Sequence, residues 1–162
     1  AAAGAPTDRA LVTTSSGAGL HGTAGQAHYA AAKAGVAAMT LVAATELAPY
    51  GVRANCVVPV ARTRLARAVP GGAAGFLDLP AFDPAHVAPL VAALAAPGCP
   101  FTGQVFSVVG GTVGIYAGWS MAAEISTGGR WAVADLATAM RTFPRTVPVP
   151  TQRETLAAAM RA

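Results

Sequence analysis

Two side chains four positions apart carry the strongest chemical signal in the sequence. Tyr29 and Lys33 lie in "GQAHYAAAKAG", residues 25 to 35, a run otherwise made mostly of alanine and glycine. If the run is helical, residues four apart share one face, so the phenol and the ammonium point to the same place. A phenol has a pKa near 10 and carries protons poorly at neutral pH, but a neighbouring ammonium favours the phenolate. The pair therefore suits proton transfer, although the same spacing is also ordinary for a solvated helix face.

Ser16 is the candidate for a third member of such a site, a hydroxyl that holds a substrate oxygen. It follows "ALVTT", residues 10 to 14, whose apolar and β-leaning character predicts a buried strand. The next residues, "SSGAG", predict a loop between this strand and the helix. Such a loop can return Ser16 over the helix, so we expect its hydroxyl to lie near Tyr29 and Lys33.

The first 118 residues alternate strands and helices. A helix is predicted over residues 26 to 48, and "PYG" at 49 to 51 ends it. A strand is predicted over residues 52 to 58, followed by a short helix in "ARTRLARAV" and a loop over 70 to 82. The next helix is predicted to start at Asp83 and Pro84, and a last strand is predicted over 104 to 109, closed by Gly110 and Gly111. This order implies right-handed crossovers and an α/β fold with a parallel sheet.

The character of the sequence changes after Gly118. A weak helix is predicted over residues 133 to 142, and Thr151 with Glu154 forms a capping-box signal for a last short helix. We therefore expect one main domain over residues 1 to 118 and a carboxyl-terminal extension over 119 to 162.

The charge and the cysteines argue against several classes of protein. Eleven basic residues face seven acids, giving a net charge of +4, but no aromatic residues are interleaved with them, so a nucleic-acid groove is not predicted. Two cysteines, Cys56 and Cys99, are too few for a disulfide framework, which favours reduced, buried thiols and a cytoplasmic protein. No membrane span or signal peptide is predicted, because Lys33 and Glu46 interrupt the best apolar run and the first residues lack a basic start.

No metal site or phosphate-binding turn is predicted. Three histidines lack metal-ligand spacing and have no cysteine cluster beside them: His21, His28 and His86. The segment "GAGLHG", residues 17 to 22, has the glycine spacing of a dinucleotide-binding turn, but no acidic residue ends a strand about 20 residues later, because Glu46 lies inside the predicted helix. We interpret these glycines as flexibility around Ser16.

Three segments together resemble the short-chain dehydrogenase/reductase family. They are "TTSSGAGLHGTAGQAHYAAAKAGV", similar to its active-site segment, "VRANCVVP", similar to a following strand, and "FTGQVFSVVGG", similar to its last strand. The resemblance covers residues 1 to 115 and is nearest to hydroxyacyl-CoA dehydrogenase-like members. It implies a Rossmann-like, doubly wound parallel sheet, of which this chain holds the carboxyl-terminal half, followed by a short helical extension.

The resemblance also implies roles for the three candidate residues. Tyr29 is the proton donor and acceptor in this comparison. Lys33 favours the phenolate and binds the nicotinamide ribose, and Ser16 orients the substrate carbonyl or hydroxyl. The family thus implies a reason for the pairing of Tyr29 with Lys33.

The same resemblance implies NAD or NADP as the cofactor, with Pro59, Val60 and Thr63 at the nicotinamide. The family usually has glycine after this proline, where the chain has Val60. We therefore expect the backbone contact to the nicotinamide amide to differ, with Thr63 able to reach that amide. Residues 1 to 12, "AAAGAPTDRALV", do not match the strand, glycine-rich turn and helix with which family members begin. We accordingly expect the amino-terminal cofactor-binding part to be absent from this chain.

Two functional hypotheses follow. The first is an NAD(P)-dependent oxidoreductase that interconverts a secondary alcohol and a ketone, with a 3-hydroxyacyl compound as the candidate small-molecule substrate. The alternative is a truncated, non-catalytic interaction or dimerisation module, because half a parallel sheet leaves an unpaired edge. The active-site helix packs across a dimer interface in the family, and Ala30, Ala34, Ala37 and Ala38 suit close helix contact. We therefore expect a homo-oligomer or a missing amino-terminal half as the protein partner.

Overall fold

The structure is a computed structural model that describes residues 8–63 and 80–145. The strands are β1 (Arg9–Thr14), β2 (Val52–Pro59), β3 (Gln104–Val109) and β4 (Thr112–Ile115). The α-helices are α1 (Gly17–His21), α2 (Ala27–Glu46), α3 (Ala88–Ala95) and α4 (Val133–Ala139). Short 3₁₀ turns lie at Ala48–Tyr50, Pro80–Phe82, Pro84–His86 and Met140–Thr142.

The four strands form one sheet in the order β1-β2-β3-β4. β2 runs parallel to both β1 and β3, which confirms the predicted α/β, Rossmann-like sheet. Residues 54 to 58 of β2 are all buried, because this strand has a neighbour on each side. Thr14 pairs with Val57, so the carboxyl ends of β1 and β2 lie side by side at one edge of the sheet.

β4 corrects the expectation of an entirely parallel sheet. It pairs antiparallel with β3, with Val109 opposite Thr112. Gly110 and Gly111 do not simply close β3, because Gly110 adopts a left-handed conformation with φ of 53° and turns the chain back as a hairpin. Tyr116 extends this hairpin, since its N–H donates to the carbonyl of Val105 at 2.9 Å.

α1 corrects the predicted loop "SSGAG". Ser16 lies in an extended conformation and caps the helix, and its Oγ accepts a hydrogen bond from the Ala18 N–H at 3.3 Å. A five-residue helix with two glycines has little stability of its own, so its neighbours must hold it in place.

α2 confirms the predicted long helix. It ends at Glu46, slightly before the predicted end at residue 48, because Pro49 enters a 3₁₀ turn and Gly51 takes the left-handed conformation that follows many helices. Thr13 and Thr40 tie the helix to β1 through their hydroxyl oxygens, which lie 2.6 Å apart, and Thr40 is fully buried. The hydroxyl of Thr40 also donates to the carbonyl of Val36 within the helix.

α3 starts later than predicted. Asp83 is a cap as expected, since its carboxylate accepts from the Ala85 N–H at 2.8 Å, but it caps a 3₁₀ turn and the α-helix begins at Ala88. Pro89 explains the delay, because proline is tolerated only in the first turn of a helix, where its missing N–H is not needed.

The core of this region lies between the sheet and α3. Val57, Leu94 and Phe106 form its central cluster, and Phe82 is fully buried as well. Cys56 is fully buried and Cys99 is half-buried, and both are free thiols, as predicted.

Asn55 is the buried polar residue that joins β2 to the segment before β3. Its amide nitrogen donates to the carbonyl of Phe101 at 2.8 Å, and its amide oxygen accepts from the Gln104 N–H at 3.1 Å. Both ends of the side chain are therefore paired, which makes burial of an amide acceptable.

Arg53 joins β2, α3 and the start of β1. Its guanidinium donates to the carbonyls of Leu94 and Ala96 at the end of α3, and it forms an ion pair with Asp8 at 2.7 Å. A cation at the carboxyl end of a helix complements both the free carbonyls and the helix dipole.

The chain divides into two compact units, and the described residues change unit between Tyr116 and Ala117. In the second unit, α4 and the 3₁₀ turn that follows it confirm the predicted helical character of residues 133 to 142. The domain boundary at residue 118 stays a prediction. The predicted capping box at Thr151 and Glu154, most of the loop over 70 to 82 and the predicted helix beyond Thr63 lie outside the described residues.

Candidate active site

The amino-terminal part of α2 brings Tyr29 and Lys33 together as predicted. The Lys33 ammonium nitrogen lies 5.8 Å from the centroid of the Tyr29 ring. Tyr29 is 37% exposed, so the residue is not enclosed in the core. A cation at this distance from an aromatic ring interacts with it electrostatically, and the two groups share one helix face.

Lys33 is also attached to the strand that precedes Ser16. Its ammonium donates a hydrogen bond of 2.9 Å to the carbonyl of Thr14, the last residue of β1. The ammonium is therefore fixed at the carboxyl end of a parallel strand, the position at which open α/β sheets bind ligands.

Ser15 is a site-supporting residue that the sequence reasoning missed. It is buried, and its Oγ donates to the backbone carbonyl of Lys33 at 2.6 Å. Its own N–H donates to the carbonyl of Val57, so it links α2 to β2 as well. The doubled serine in "SSGAG" was the available signal, because adjacent residues of an extended segment point in opposite directions and only one of them can face the helix.

Ser16 lies at the start of α1, directly after Ser15. Its Oγ accepts the cap hydrogen bond with one lone pair, and a serine hydroxyl retains one donor and a second lone pair beyond that. The cap thus orients the hydroxyl while its hydrogen is still able to bind a substrate oxygen.

Gly19 sets the distance between α1 and α2. A Cβ on this residue would lie 2.6 Å from the Ala34 nitrogen and 2.7 Å from the Lys33 carbonyl carbon, closer than real contacts allow. The prediction that these glycines provide flexibility around Ser16 was therefore wrong for Gly19. Its missing side chain lets α1 rest directly on the backbone of α2 beside Lys33.

The other end of α1 contacts the hairpin. His21, the last residue of α1, has its Nε2 3.4 Å from the hydroxyl oxygen of Tyr116, and the two rings lie 5.4 Å apart. Burial lowers the pKa of His21 and raises the pKa of the Tyr116 phenol. Both groups are therefore neutral near pH 7. Sequence analysis did not find this contact, because it depends on β4.

The predicted cofactor contacts follow β2. Pro59 is the last residue of β2, two positions beyond Val57, which pairs with Thr14. The N–H of Val60 donates to the carbonyl of Val108 at 2.9 Å, so it extends the β2–β3 pairing. Thr63 is exposed. These three residues leave the sheet at the edge at which the Lys33 ammonium is bound.

Metal ligands, membrane spans and the arginines after β2 are the other features to consider near the candidate active site. Among the described residues no group of three or more metal-ligating side chains occurs, and none of the helices there is long and apolar enough to cross a bilayer. Three arginines lie close together in the sequence after β2. Arg62 donates its backbone N–H to the carbonyl of Phe82, whereas Arg64 and Arg67 lie outside the described residues.

Comparisons with known proteins place this geometry in a family. The family model for short chain dehydrogenases matches residues 8–69. The chain is 44% identical over 139 residues to the hydroxyacyl-CoA dehydrogenase ChsB1 of Mycobacterium tuberculosis, a match that covers 82% of this chain and 43% of the relative. It is 37% identical to the 3-oxoacyl-[acyl-carrier-protein] reductase FabG of Vibrio cholerae, over 62% of this chain and 44% of that protein.

The fold gives the same result. A crystal structure of a short chain dehydrogenase from Mycobacterium avium superposes with a TM-score of 0.71 at 41% identity, over 86% of this chain and 46% of the other. The chain thus spans less than half the length of each of these relatives. In sequence and in fold, the chain belongs to the short-chain dehydrogenase/reductase family.

Proposed function

We propose that this chain is the catalytic part of an NAD(P)-dependent oxidoreductase that interconverts a secondary alcohol and a ketone. The observation that carries the proposal is the position of Lys33, whose ammonium lies 5.8 Å from the Tyr29 ring and is bound to the end of β1. A positioned phenol next to a fixed cation is suited to general acid–base work, because the cation favours the phenolate.

The residues of this chain divide the proton chemistry among them. In the oxidation direction, Tyr29 as phenolate accepts the hydroxyl proton of the alcohol while a hydride leaves the carbinol carbon. In the reduction direction, Tyr29 donates that proton to the carbonyl oxygen. Ser16 donates a hydrogen bond to the same oxygen, and Lys33 stabilises the negative charge on the phenol oxygen.

A nicotinamide nucleotide, NAD or NADP, fits the described residues at this edge of the sheet. When bound, it supplies the hydride acceptor or donor. Lys33 would bind its ribose, and Pro59, Val60 and Thr63 would lie along the nicotinamide. Because the Val60 N–H already donates to the Val108 carbonyl, that N–H is not offered to the nicotinamide amide.

The substrate class we propose is a 3-hydroxyacyl or 3-oxoacyl thioester. Two relatives support it, since one is a hydroxyacyl-CoA dehydrogenase and the other a 3-oxoacyl-[acyl-carrier-protein] reductase. A crystal structure of a 3-hydroxyacyl-CoA dehydrogenase type-2 from Mycobacterium avium is also similar, with a TM-score of 0.54 at 34% identity. We place this reaction in the cytoplasm, as the free thiols suggest.

The direct test is Tyr29→Phe in the intact natural protein that contains this chain. We expect turnover of a 3-oxoacyl thioester with NADH or NADPH to fall at least about 100-fold, because the proton carrier is removed. Tyr50→Phe is the matched control, since Tyr50 is a 65% exposed tyrosine in the turn after α2. Equal turnover in the Tyr29→Phe variant and the control would refute the proposal.

A non-catalytic interaction module is the second candidate. Among the described residues, β1 pairs only with β2, so its other edge is open to a further strand. On α2, Ala34 and Ala38 are exposed and suit a partner helix, whereas Ala37 is buried against the rest of this unit and is unsuited to one. The module predicts self-association without nicotinamide binding, whereas the enzyme predicts that the intact protein binds NAD or NADP in a calorimetric titration.

A further inference from the structure

The helix α1 is held at both of its ends. Just before the amino end, Ser15 bonds to the Lys33 carbonyl, and in the middle of the helix Gly19 rests against the backbone of Lys33 and Ala34. At the carboxyl end, the His21 imidazole meets the Tyr116 hydroxyl. A helix of one and a half turns cannot fix its own direction, so the direction in which its cap residue points depends on both attachments.

Tyr116, which contacts His21 at the carboxyl end of α1, belongs to the sheet. Its N–H donates to Val105 of β3, so its backbone is part of the β3–β4 hairpin, and its side chain is half-buried. The tilted contact between the two rings adds to the single hydrogen bond. The hairpin therefore gives α1 a fixed point that belongs to the sheet.

His21 has a feature that packing alone does not explain. Its Nδ1 is buried and has no hydrogen-bond partner in the part of the chain that the structure describes. A buried nitrogen without a partner is destabilising, so an apolar side chain of the same size would fill this space at a lower free-energy cost. The other ring nitrogen, Nε2, has the Tyr116 hydroxyl as its hydrogen-bond partner.

We propose that His21 and Tyr116 are positioning residues for Ser16. Their hydrogen bond fixes the carboxyl end of α1, and the helix in turn fixes the direction of the Ser16 hydroxyl relative to Tyr29. This inference rests on the proposed function, because it assigns a catalytic consequence to the pair. The 3.4 Å separation is at the long end of hydrogen-bond distances, so the loss expected on removing it is modest.

A double-mutant cycle tests the coupling to Ser16. Tyr116→Phe removes the hydroxyl and keeps the ring, and it is compared in the intact wild-type protein and in a Ser16→Ala background, with acetoacetyl-CoA as the 3-oxoacyl thioester. We expect kcat to fall about two- to tenfold in the wild type, the range of one hydrogen bond. In the Ser16→Ala background we expect almost no further fall, because the group being positioned is gone. KM for the nicotinamide cofactor should stay unchanged in both.

Substitutions of His21 provide a second test of the positioning role. His21→Gln retains an amide nitrogen near the place of Nε2 and should keep most of the wild-type kcat, whereas His21→Leu should lower kcat as Tyr116→Phe does. Tyr50→Phe again serves as the unaffected tyrosine control. If His21→Leu does not fold, the double-mutant cycle with Tyr116→Phe still tests the positioning role.

The outcomes separate the two proposals. Equal fold losses from Tyr116→Phe in both backgrounds overturn the positioning role and leave the proposed function intact. A wild-type protein without turnover, although it is folded and presented with both nicotinamide cofactors, overturns the proposed function and the positioning role with it. A loss confined to the background that contains Ser16 supports both.

Discussion

Lys33 is the single lysine among eleven basic residues, and its surroundings give a physical reason for it. The ammonium reaches the Thr14 carbonyl at 2.9 Å while lying near the Tyr29 ring. An ammonium is a compact point charge on a flexible stem, whereas a guanidinium is a planar fork that needs more room and presents its donors in fixed directions. These contacts therefore suit an ammonium better than a guanidinium.

Lys33→Arg is accordingly expected to lower the activity, although it retains the positive charge. The charge is retained but its distance from the Tyr29 oxygen changes, so we expect kcat/KM of the intact protein to fall by more than about tenfold, a loss of transition-state stabilisation of about 1.4 kcal/mol or more. Steady-state kinetics with varied NADH or NADPH measure this. An arginine variant with activity within about twofold of wild type would show that only the charge is needed.

The placement of Tyr29 and Lys33 on one helix face was predictable from the sequence, and the contacts that support them were not. The spacing of Tyr29 and Lys33 places them on one helix face whatever the rest of the chain does, because it depends on helix geometry alone. The burial of Ser15 and its bond to the Lys33 carbonyl depend on how β1 meets α2 in three dimensions, which no local pattern contains.

Among the secondary-structure elements, α1 is the one whose position the site depends on most. It lies directly against α2 at Gly19, where there is no room for a side chain. The element is short, so a small shift of its axis moves the Ser16 cap residue with it.

Gly19→Ala is expected to destabilise the protein and reduce its activity. The added methyl group would overlap the Ala34 nitrogen, so α1 must move away from α2, at a cost of about 1–3 kcal/mol in the free energy of unfolding. Denaturant unfolding monitored by circular dichroism measures the stability, and steady-state assays measure the accompanying loss of kcat.

Gly35→Ala is the matched control for that substitution. Gly35 is an exposed glycine inside α2, and nothing lies within 4 Å of the position of its missing Cβ. Alanine there should stabilise the helix by about 0.5–1 kcal/mol, because glycine loses more backbone freedom on folding. Equal effects of the two substitutions would contradict the close contact at Gly19.

The elements themselves were predicted unevenly, for reasons that differ from one to the next. β1, α2, β2 and β3 have long, unambiguous patterns, and all four were found. α1 was missed because its glycines oppose helix formation and only its cap and its neighbours hold it. β4 was missed because "GG" reads as the end of a strand, although a two-residue glycine turn followed by "TVGIY" is also a hairpin signal.

In the first unit as a whole, the ion pair of Arg53 and Asp8 ties β2 and α3 to the start of β1. The hydrogen bond from the Gly98 N–H, followed by that from Arg53, lowers the pKa of Asp8 below its ordinary value of 3.8. Because the pKa is lower in the folded than in the unfolded chain, the interaction stabilises the fold above that ordinary value. The stabilisation is lost as the pH falls through the folded-state pKa.

Asp8→Asn should therefore destabilise the intact protein near neutral pH and lose this effect in acid. We expect the difference in unfolding free energy between wild type and variant to shrink as the pH falls from about 6 to about 2. The carboxylate is exposed, so high salt should also reduce the difference near neutral pH. A difference that does not change with pH would show that the charge of Asp8 has no role.

At the scale of the sheet, one edge of β1 is open in the part of the chain that the structure describes. This chain spans less than half the length of its relatives, and among its described residues β1 is paired on one side only. The sequence predicted this edge because three parallel strands were recognisable and no glycine-rich cofactor turn preceded them. Because the chain spans less than half the length of these relatives, its activity is to be measured on the intact natural protein.

Hydride transfer is the central claim, and isotope transfer tests it most directly. The intact protein is incubated with acetoacetyl-CoA and with NADH or NADPH deuterated at the transferable position, and the product is analysed by mass spectrometry. We predict one deuterium on the carbinol carbon with one or both cofactors, formed at least about 100-fold more slowly with the Tyr29→Phe variant. Unlabelled, unreduced substrate after incubation of the folded wild-type protein with either cofactor would contradict the proposed reaction.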